Sequence, residues 1–215
     1  YFGYLKKMVL TLHNAVMLKR GRMPFHGAMT RIALAGGAAA NVLIIGDTAT
    51  GKSESLEAFR ILGRDCIREL RIVADDMGSL DIDAAGDVLA YGTEIGAFIR
   101  LDDLQQGYAF GQIDRAIIMS PQKVNARVVL PVTSLSDVLR GHRVDYLLYA
   151  NNYEEVSEER PIVERFATAA QALHVFREGA AMSKGTTMST GIVHSYFANI
   201  FGAPQYKDLH EAAAA

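Results

Sequence analysis

Residues 44–55, IIGDTATGKSES, contain the pattern Gly-x-x-x-x-Gly-Lys-Ser of a phosphate-binding loop, and this stretch indicates the fold. An apolar run precedes the loop and a helical pattern follows it, which is the context that such loops require. The glycines let backbone N–H groups surround phosphate oxygens, the lysine reaches the β- and γ-phosphates, and the serine can hold Mg²⁺. The predicted nucleotide-binding residues are Gly46, Asp47, Thr48, Ala49, Thr50, Gly51, Lys52 and Ser53.

Two adjacent carboxylates follow the loop, at the end of the next predicted strand. Asp75 and Asp76 close the predicted buried strand LRIVADD, which begins at residue 70. A strand that ends on acid can bring a carboxylate to the metal ion beside the phosphates, so we predict that both acids bind metal. The alternative is a strand that ends in a turn, with both acids solvated.

Other polar residues fit a site, but each also fits an ordinary structural role. They are His26, the pair Lys6 and Lys7, Glu94, Arg127 and Lys184. A single histidine is commonly structural, and two adjacent lysines on a helix are commonly exposed. Arginine suits bidentate phosphate binding, yet a surface strand also carries arginines. Glu94 lies between glycines and fits a turn, while the polar loop around Lys184 fits either a lid or a flexible surface loop.

The composition fits a globular protein with a full core. The chain has 215 residues, half of them apolar, and a mean hydropathy of +0.10. Its net charge of −2 gives no electrostatic reason to expect nucleic acid or an anionic membrane as a partner. The single cysteine, Cys66, excludes an internal disulfide and favours a reducing compartment.

Membrane insertion and export are also not expected. The longest apolar stretch, residues 32–46, contains glycines and an asparagine and is too short to span a bilayer. No signal peptide pattern precedes it, so we expect a soluble, cytoplasmic protein. The chain opens on Tyr1 and closes on HEAAAA, which we interpret as the boundaries of a fragment of a longer protein.

Helical and strand patterns alternate along the chain, which predicts a single mixed α/β domain over residues 1–215. The first helix is predicted over residues 5–19, with Leu5, Met8, Leu12 and Val16 as its apolar stripe. The further predicted elements are paired strands in RIALA and NVLIIG, a helix after the loop that ends at Gly63, a strand-rich block over 81–130, a short capped helix in SLSDVLRG, a buried strand in VDYLLYANN, and a helix over 162–182.

Five stretches, in the same order, resemble the ATP-dependent phosphoenolpyruvate carboxykinase family from about residue 1 to residue 202. They are YFGYLKKM (its Tyr-x-Gly-x-x-Lys-Lys), MPFHGAMT (its Met-His-Cys-Ser-Ala-Asn), GDTATGKS (its kinase-type loop), IVADD (its Gly-Asp-Asp metal segment) and NARVVLPV (its Asn-Thr-Arg-Val-x-Tyr-Pro). The loop is also similar to the Gly-Asp-Ser-x-x-Gly-Lys-Ser-Glu loop of HPr kinase/phosphorylase, and the later VADD is similar to the Val-Ala-Asp-Asp of that family. The two families share a fold core.

The resemblance implies a phosphoenolpyruvate-carboxykinase-like P-loop nucleotide-binding domain that uses ATP, Mg²⁺ and Mn²⁺. The implied metal-binding residues are Lys7, His26, Ser53, Asp75 and Asp76, and the implied catalytic residues are Lys7, Lys52, Asp76 and Arg127. Lys7, His26 and Asp76 would ligate manganese, for which the lysine must be neutral and its pKa strongly lowered. The nucleotide's magnesium would lie on Ser53, with Asp75 nearby.

The sequence departs from the carboxykinase pattern at several positions. GTEIGAF, residues 92–98, lacks a phosphate-contacting lysine of that family and carries Glu94 nearby; ANNYE replaces Ala-Asp-Ala-Phe-Gly, and Gly27 replaces a cysteine. The family's N-terminal domain, which supplies an arginine to the carboxylate substrate, is not represented.

Three functions therefore stay open. The first is the carboxykinase reaction of oxaloacetate and ATP, which gives phosphoenolpyruvate, ADP and CO₂ and serves gluconeogenesis. The second is a kinase that acts on another small molecule or on a protein hydroxyl. The third is a nucleotide-binding regulatory module without turnover, against which the intact motif residues argue. The expected partners are a nucleotide and a small-molecule substrate.

Overall fold

The structure of the protein is a computed structural model, and in it helices pack on mixed β-sheets. The structure describes residues 2–47, 50–52, 55–56, 58–59, 63–100, 117–119, 127–159, 161–183 and 190–215. For residues 2, 99–100, 117–119, 127 and 204 it describes the backbone alone.

The helices with described bounds are α1 (Phe2–Lys19), α2 (Leu135–Leu139), α3 (Ala169–Glu178) and α4 (Lys207–Ala214), with 3₁₀ turns at Tyr196–Ala198 and Pro204–Tyr206. The predicted cap of the short helix α2 is confirmed, because the Ser134 side chain accepts a hydrogen bond from the Asp137 N–H. Residues 52, 55–56 and 58–59, after the loop, are helical, and the Gly63 N–H closes a turn on the Phe59 carbonyl.

The strands are β1 (Met23–Leu34), β2 (Ala39–Ile45), β3 (Ile67–Ile82), β4 (Val88–Gly92), β5 (Gly96–Arg100), β6 (Ile117–Met119), β7 (Arg127–Pro131), β8 (His142–Arg143), β9 (Tyr146–Tyr149), β10 (Ala180–Met182) and β11 (Ile192–His194). Their order is β8-β4-β3-β1-β2-β9 in the main sheet, β5-β7-β6 in a second and β10-β11 in a third. Only β2 and β9 pair in parallel among these described strands. The α/β class predicted from the sequence is confirmed.

The centre of the main sheet brings the sequence motifs together. The predicted pairing of these two strands is confirmed: β1 pairs with β2 so that Gly27 lies opposite Ile45, directly before the loop. On its other side β1 pairs with β3, and Gly27 lies opposite Asp76. The histidine before Gly27, the loop after β2 and the acid on β3 therefore occupy neighbouring positions.

Apolar side chains cover both faces of this sheet centre. One cluster joins Phe25 and Met29 to Phe176 of α3 and to Phe197. A second cluster joins Ala28 to Leu56, in the helical turn after the loop. Successive strand residues point to opposite faces, so the two clusters enclose β1 and fix the start of the loop.

Helix α1 forms as predicted, but its predicted apolar stripe is not the face that the fold buries. Leu12 is 65% exposed and Leu5 is 58% exposed. Leu10, Asn14 and Leu18, which repeat every four residues, are buried instead. Leu10 packs against Met77 of β3 and Phe201, so tertiary contacts select this face of the helix.

The bounds or burial predicted for two strands are wrong. Strand β3 does not end at the two acids but continues to Ile82, because β1 keeps pairing with it as far as Met23 opposite Leu80. Strand β9 is an edge strand with exposed residues rather than a buried one.

The helix expected over 162–182 is limited to Ala169–Glu178. Thr168 caps its start by accepting a hydrogen bond from the Gln171 N–H. Gly179 ends it with a positive φ of 53°, where a Cβ would lie 1.8 Å from the Ser195 carbonyl oxygen. Residues 180–182 then form β10.

In the described part of the chain, we find no helix that combines the length and the apolar character needed to cross a bilayer.

Candidate functional site

The predicted phosphate-binding loop begins where β2 ends, and its described residues are tightly packed. A Cβ on Gly46 would lie 2.5 Å from the Thr50 Oγ1 and 2.8 Å from the Ala150 carbonyl oxygen, so only glycine fits there. Thr50 donates from its hydroxyl to the Asp47 carbonyl at 2.8 Å. Gly51 has a φ of +83°, which favours glycine. Close packing at Gly46 and the positive φ at Gly51 therefore explain why glycine occupies both positions of the loop.

Lys52 directs its ammonium back into the loop. Its Nζ donates to the carbonyl oxygens of Gly46 at 2.7 Å and of Asp47 at 2.8 Å. The residue is only 8% exposed. The ammonium of Lys52 is thus buried and fixed at the start of the loop, which is the position that the phosphate-binding pattern predicts for its lysine.

His26 connects the loop to the acid on β3. Its carbonyl accepts a hydrogen bond from the Gly46 N–H at 3.3 Å, and its ring Nε2 lies 3.2 Å from the Asp76 Oδ1. The ring is buried and packs edge-on against Phe201, and its Nδ1 has no hydrogen-bond partner among the described residues. Burial and the Lys52 charge lower the pKa of His26, so the imidazole is neutral at pH 7.

Lys6 and two acids form a compact charged cluster beside His26. The Lys6 Nζ lies 2.7 Å from the Asp76 Oδ2 and 3.1 Å from the Glu94 Oε1. It also lies 5.2 Å from the centre of the Phe98 ring. We call Lys6, Asp76 and Glu94 the Lys6 cluster. Helix α1, strand β3 and the connection between β4 and β5 each contribute one member.

The backbone of Asp76 is strained. Its φ of 96° lies in a region that non-glycine residues rarely adopt, and it does so inside the long strand β3. Strain of this kind costs on the order of 1–3 kcal/mol and is found where surrounding contacts hold a side chain in place for function. At Asp76 those contacts are His26 and Lys6.

Burial and the contacts among the three side chains shift the pKa of each group in the Lys6 cluster. Burial alone would raise the pKa of Asp76, but the hydrogen bond to His26 and the Lys6 charge hold that pKa well below its usual value. Burial raises the pKa of Glu94 to about 7, although Lys6 acts in the opposite direction. Burial would lower the pKa of Lys6, yet Asp76 and Glu94 raise it above its ordinary value. Lys6 is therefore a firmly protonated counter-charge.

The structure places Lys6, rather than Lys7, in this cluster. The Lys7 side chain is exposed on α1, and the resemblance had implied Lys7 as a neutral metal ligand. Lys6 and Lys7 are adjacent on a helix and so point about 100° apart, which means that only one of them can reach β3. A protonated Lys6 donates to carboxylates and has no lone pair for a metal ion.

The donor atoms here fit part of a divalent cation site. Imidazole nitrogen and carboxylate oxygen are both ligands of Mn²⁺, and His26 and Asp76 bring one of each together. No three histidine, cysteine, aspartate or glutamate side chains are grouped as a metal site within the described ranges. His26, through its Nδ1 lone pair, and Asp76, through its carboxylate, therefore offer donor types that a divalent cation accepts, but fewer than a complete ligand set.

Ser195 is a loop contact that the sequence did not predict. Its hydroxyl donates to the Asp47 Oδ2 at 2.6 Å, across 148 positions of sequence. Ser195 also lines a cavity of about 330 Å³ together with Tyr196, Lys207 and His210. A polar residue in an apolar stretch far from the loop gives no sequence signal for this contact.

The remaining predicted residues are placed as follows. Asp75 is buried on β3, opposite Ala28 of β1. Arg127 begins β7, and its side chain is not described. Thr48, Ala49, Ser53 and Lys184 lie outside the described residues.

We compared the chain with known proteins. Comparison with models of protein families found no match, and comparison with curated proteins found none. The resemblance to phosphoenolpyruvate carboxykinase and HPr kinase therefore stays a hypothesis that rests on the motifs and on the geometry above.

Proposed function

We propose that this protein transfers a phosphoryl group from ATP in a metal-assisted reaction of the phosphoenolpyruvate carboxykinase type. The proposal takes residues 1–215 as one P-loop catalytic domain of that fold. The observation that carries it is the position of His26, whose backbone binds the loop at Gly46 while its ring meets Asp76. This position would make the groups proposed to bind phosphate and the groups proposed to bind a cation adjacent, as phosphoryl transfer requires.

The proposed roles follow from charge and position. Lys52, together with loop N–H groups, would bind the β- and γ-phosphates in place of the carbonyls that its ammonium now contacts. Arg127 would neutralise charge on the transferred group. Phosphoryl transfer depends mainly on positioning and charge neutralisation, so these cations would supply most of the catalytic effect.

Two metal ions belong to the proposal. Asp76 and His26 would hold Mn²⁺, Ser53 would hold the Mg²⁺ of the nucleotide, and Asp75 would lie near it. Bound metal would neutralise charge on the phosphate oxygens. Lys6, instead of Lys7, would balance the negative charge of Asp76 and Glu94.

For the phosphoryl acceptor, the resemblance favours oxaloacetate, with phosphoenolpyruvate and CO₂ as products. Glu94 favours a second candidate, a kinase acting on a neutral hydroxyl. Its carboxylate lies 3.1 Å from Lys6, near the position where the carboxykinase family has a phosphate-contacting lysine. An added negative charge there opposes a dicarboxylate substrate more than a neutral alcohol.

The experiment measures ATP binding first and phosphoryl transfer second. The full chain is titrated with ATP in the presence of Mn²⁺ and Mg²⁺, and ATP affinity is measured by calorimetry. Lys52→Ala is expected to weaken binding at least about tenfold, because it removes a charge-assisted contact. Lys19→Ala, at the exposed end of α1, is the matched control and should bind like the wild type.

Transfer is then followed by ³¹P NMR with oxaloacetate in one sample and a panel of hydroxyl compounds and proteins in another. Phosphoenolpyruvate in the first sample supports the carboxykinase reaction, and a phosphate ester in the second supports the kinase. ATP binding without any product would leave only the regulatory module. Unchanged ATP affinity in Lys52→Ala would refute the proposed site.

A further inference from the structure

Helix α1 presents an apolar face to solvent. Six large apolar side chains on it are 43–69% exposed: Tyr4, Leu5, Met8, Val9, Leu12 and Val16. Ordinary surfaces carry single apolar residues, whereas a continuous stripe of this kind indicates a contact surface.

The spacing of this face follows a coiled-coil repeat. Leu5, Val9, Leu12 and Val16 are separated by four, three and four residues, so leucine occupies the d positions and valine the a positions of a heptad. We call these four residues the α1 seam. Among parallel coiled coils, valine at a with leucine at d favours two strands over three or four.

The opposite face of α1 is already occupied. Leu10, Asn14 and Leu18 are buried against the rest of the chain, and the Asn14 Nδ2 donates to the Phe201 carbonyl at 2.7 Å. The helix is therefore already formed and held in place by its own chain. Pairing along the seam would not have to supply the conformational entropy cost of forming the helix.

We propose that the α1 seam binds the α1 seam of a second copy of this protein, as a parallel, two-fold symmetric pair of helices. The buried face of α1 lies opposite the seam, so the two bodies would extend to opposite sides of the helix pair without collision. In a symmetric parallel pair, each Leu12 meets the Leu12 of the other copy.

Charge is compatible with this pairing. No seam residue is charged, and the flanking positions of the repeat hold Met8, His13 and Ala15. The remaining flanking residue, Lys6, has its ammonium bound by Asp76 and Glu94. Like charges therefore do not oppose each other across the seam.

The size of the face also suits a dimer. Tyr4 occupies a c position of the repeat and lies outside the seam. The other five exposed side chains offer roughly 500 Å² per copy, or about 1,000 Å² in the pair, which is the smallest area expected of a specific interface.

Sedimentation velocity of the full chain between about 1 and 100 μM tests the pairing. The wild type should shift from monomer to dimer, and Leu12→Asp should weaken the dimer at least about tenfold by placing two like charges on the symmetry axis. Val163→Asp is the control, since Val163 is 72% exposed outside α1 and should leave the dimer unchanged. Thermal unfolding of each variant reports whether it is folded.

A cross-link tests the direction of the helices. In a Cys66→Ser background, which removes the exposed native thiol, Leu12→Cys should form a disulfide-linked dimer on mild oxidation. A wild type that stays monomeric throughout would overturn the proposal. If Leu12→Asp also lowers the melting temperature while the wild type stays monomeric, the proposal fails for a stated reason: the seam would then be packed against the protein's own chain. A dimer that Leu12→Cys cannot cross-link would overturn the parallel arrangement.

Discussion

Replacing Lys6 by methionine should destabilise the protein, whereas the same change at Lys7 should not. Methionine keeps an unbranched side chain but removes the ammonium that contacts Asp76 at 2.7 Å and Glu94 at 3.1 Å. Two neighbouring carboxylates would then lack their counter-charge. Lys7 is exposed, so its replacement should change the unfolding free energy by less than about 0.5 kcal/mol.

The expected magnitude follows from burial. Removing one partner of a fully buried ion pair costs about 3–5 kcal/mol. The Asp76 and Glu94 side chains are 29% and 27% exposed, so water recovers part of this loss. We therefore expect Lys6→Met to lower the unfolding free energy by about 2 kcal/mol at pH 7, or the melting temperature by about 4–8 °C.

The loss should also grow with pH. Burial raises the pKa of Glu94 to about 7 from its ordinary 4.5, so folding favours the protonated form. The stability that this acid contributes is present below its unfolded pKa and is lost as pH rises through its folded pKa. Lys6 lowers the pKa of Glu94, and without Lys6 the carboxyl is harder still to ionise. The deficit of Lys6→Met should therefore be larger at pH 8 than at pH 5.

Urea unfolding of the wild type, Lys6→Met and Lys7→Met at pH 5, 7 and 8 measures these differences. The reasoning fails if Lys7→Met destabilises as much as Lys6→Met. It also fails if the deficit of Lys6→Met shrinks as pH rises.

Two further predictions use the same stability assays. Gly46→Ala should cost more than about 2 kcal/mol and abolish ATP binding, because its Cβ would lie 2.5 Å from the Thr50 Oγ1, while Gly36→Ala, with no atom within 4 Å, is the neutral control. Equal melting temperatures for the two would contradict this. Glu94→Gln should remove the titration near pH 7, so that its stability relative to the wild type rises by roughly 2 kcal/mol from pH 5 to pH 8. A pH-independent difference would contradict the burial of Glu94.

The local elements could be predicted from the sequence because their signals lie between near neighbours. The loop pattern in residues 44–55 and the hairpin before it depend on adjacent glycines and apolar runs. Ser134 was predicted as a cap, and its hydrogen bond to Asp137 spans three residues. Such contacts are set by the backbone geometry of one turn and need no distant partner.

Tertiary structure decided which side chains form the site. Helix α1 carries an apolar face on each side, and periodicity alone could not tell which one is buried. Met77 and Phe201, from distant parts of the chain, pack on Leu10 and so turn Lys6 rather than Lys7 toward Asp76. The repeat of Leu10, Asn14 and Leu18 was visible in the sequence, but the exposed stripe gave an equally good helical pattern.

The sequence by itself determined the kinds of group available: a loop with the phosphate-binding pattern, a histidine before it and two acids after it. Only the tertiary structure decided which of them meet. Strand β1 pairs with β2 and β3 at once, and this register places Gly27 opposite both Ile45 and Asp76. Ser195 likewise reaches Asp47 from 148 positions away, from a segment outside this sheet. Pairing between distant segments depends on the whole packed core, which no short stretch of sequence encodes.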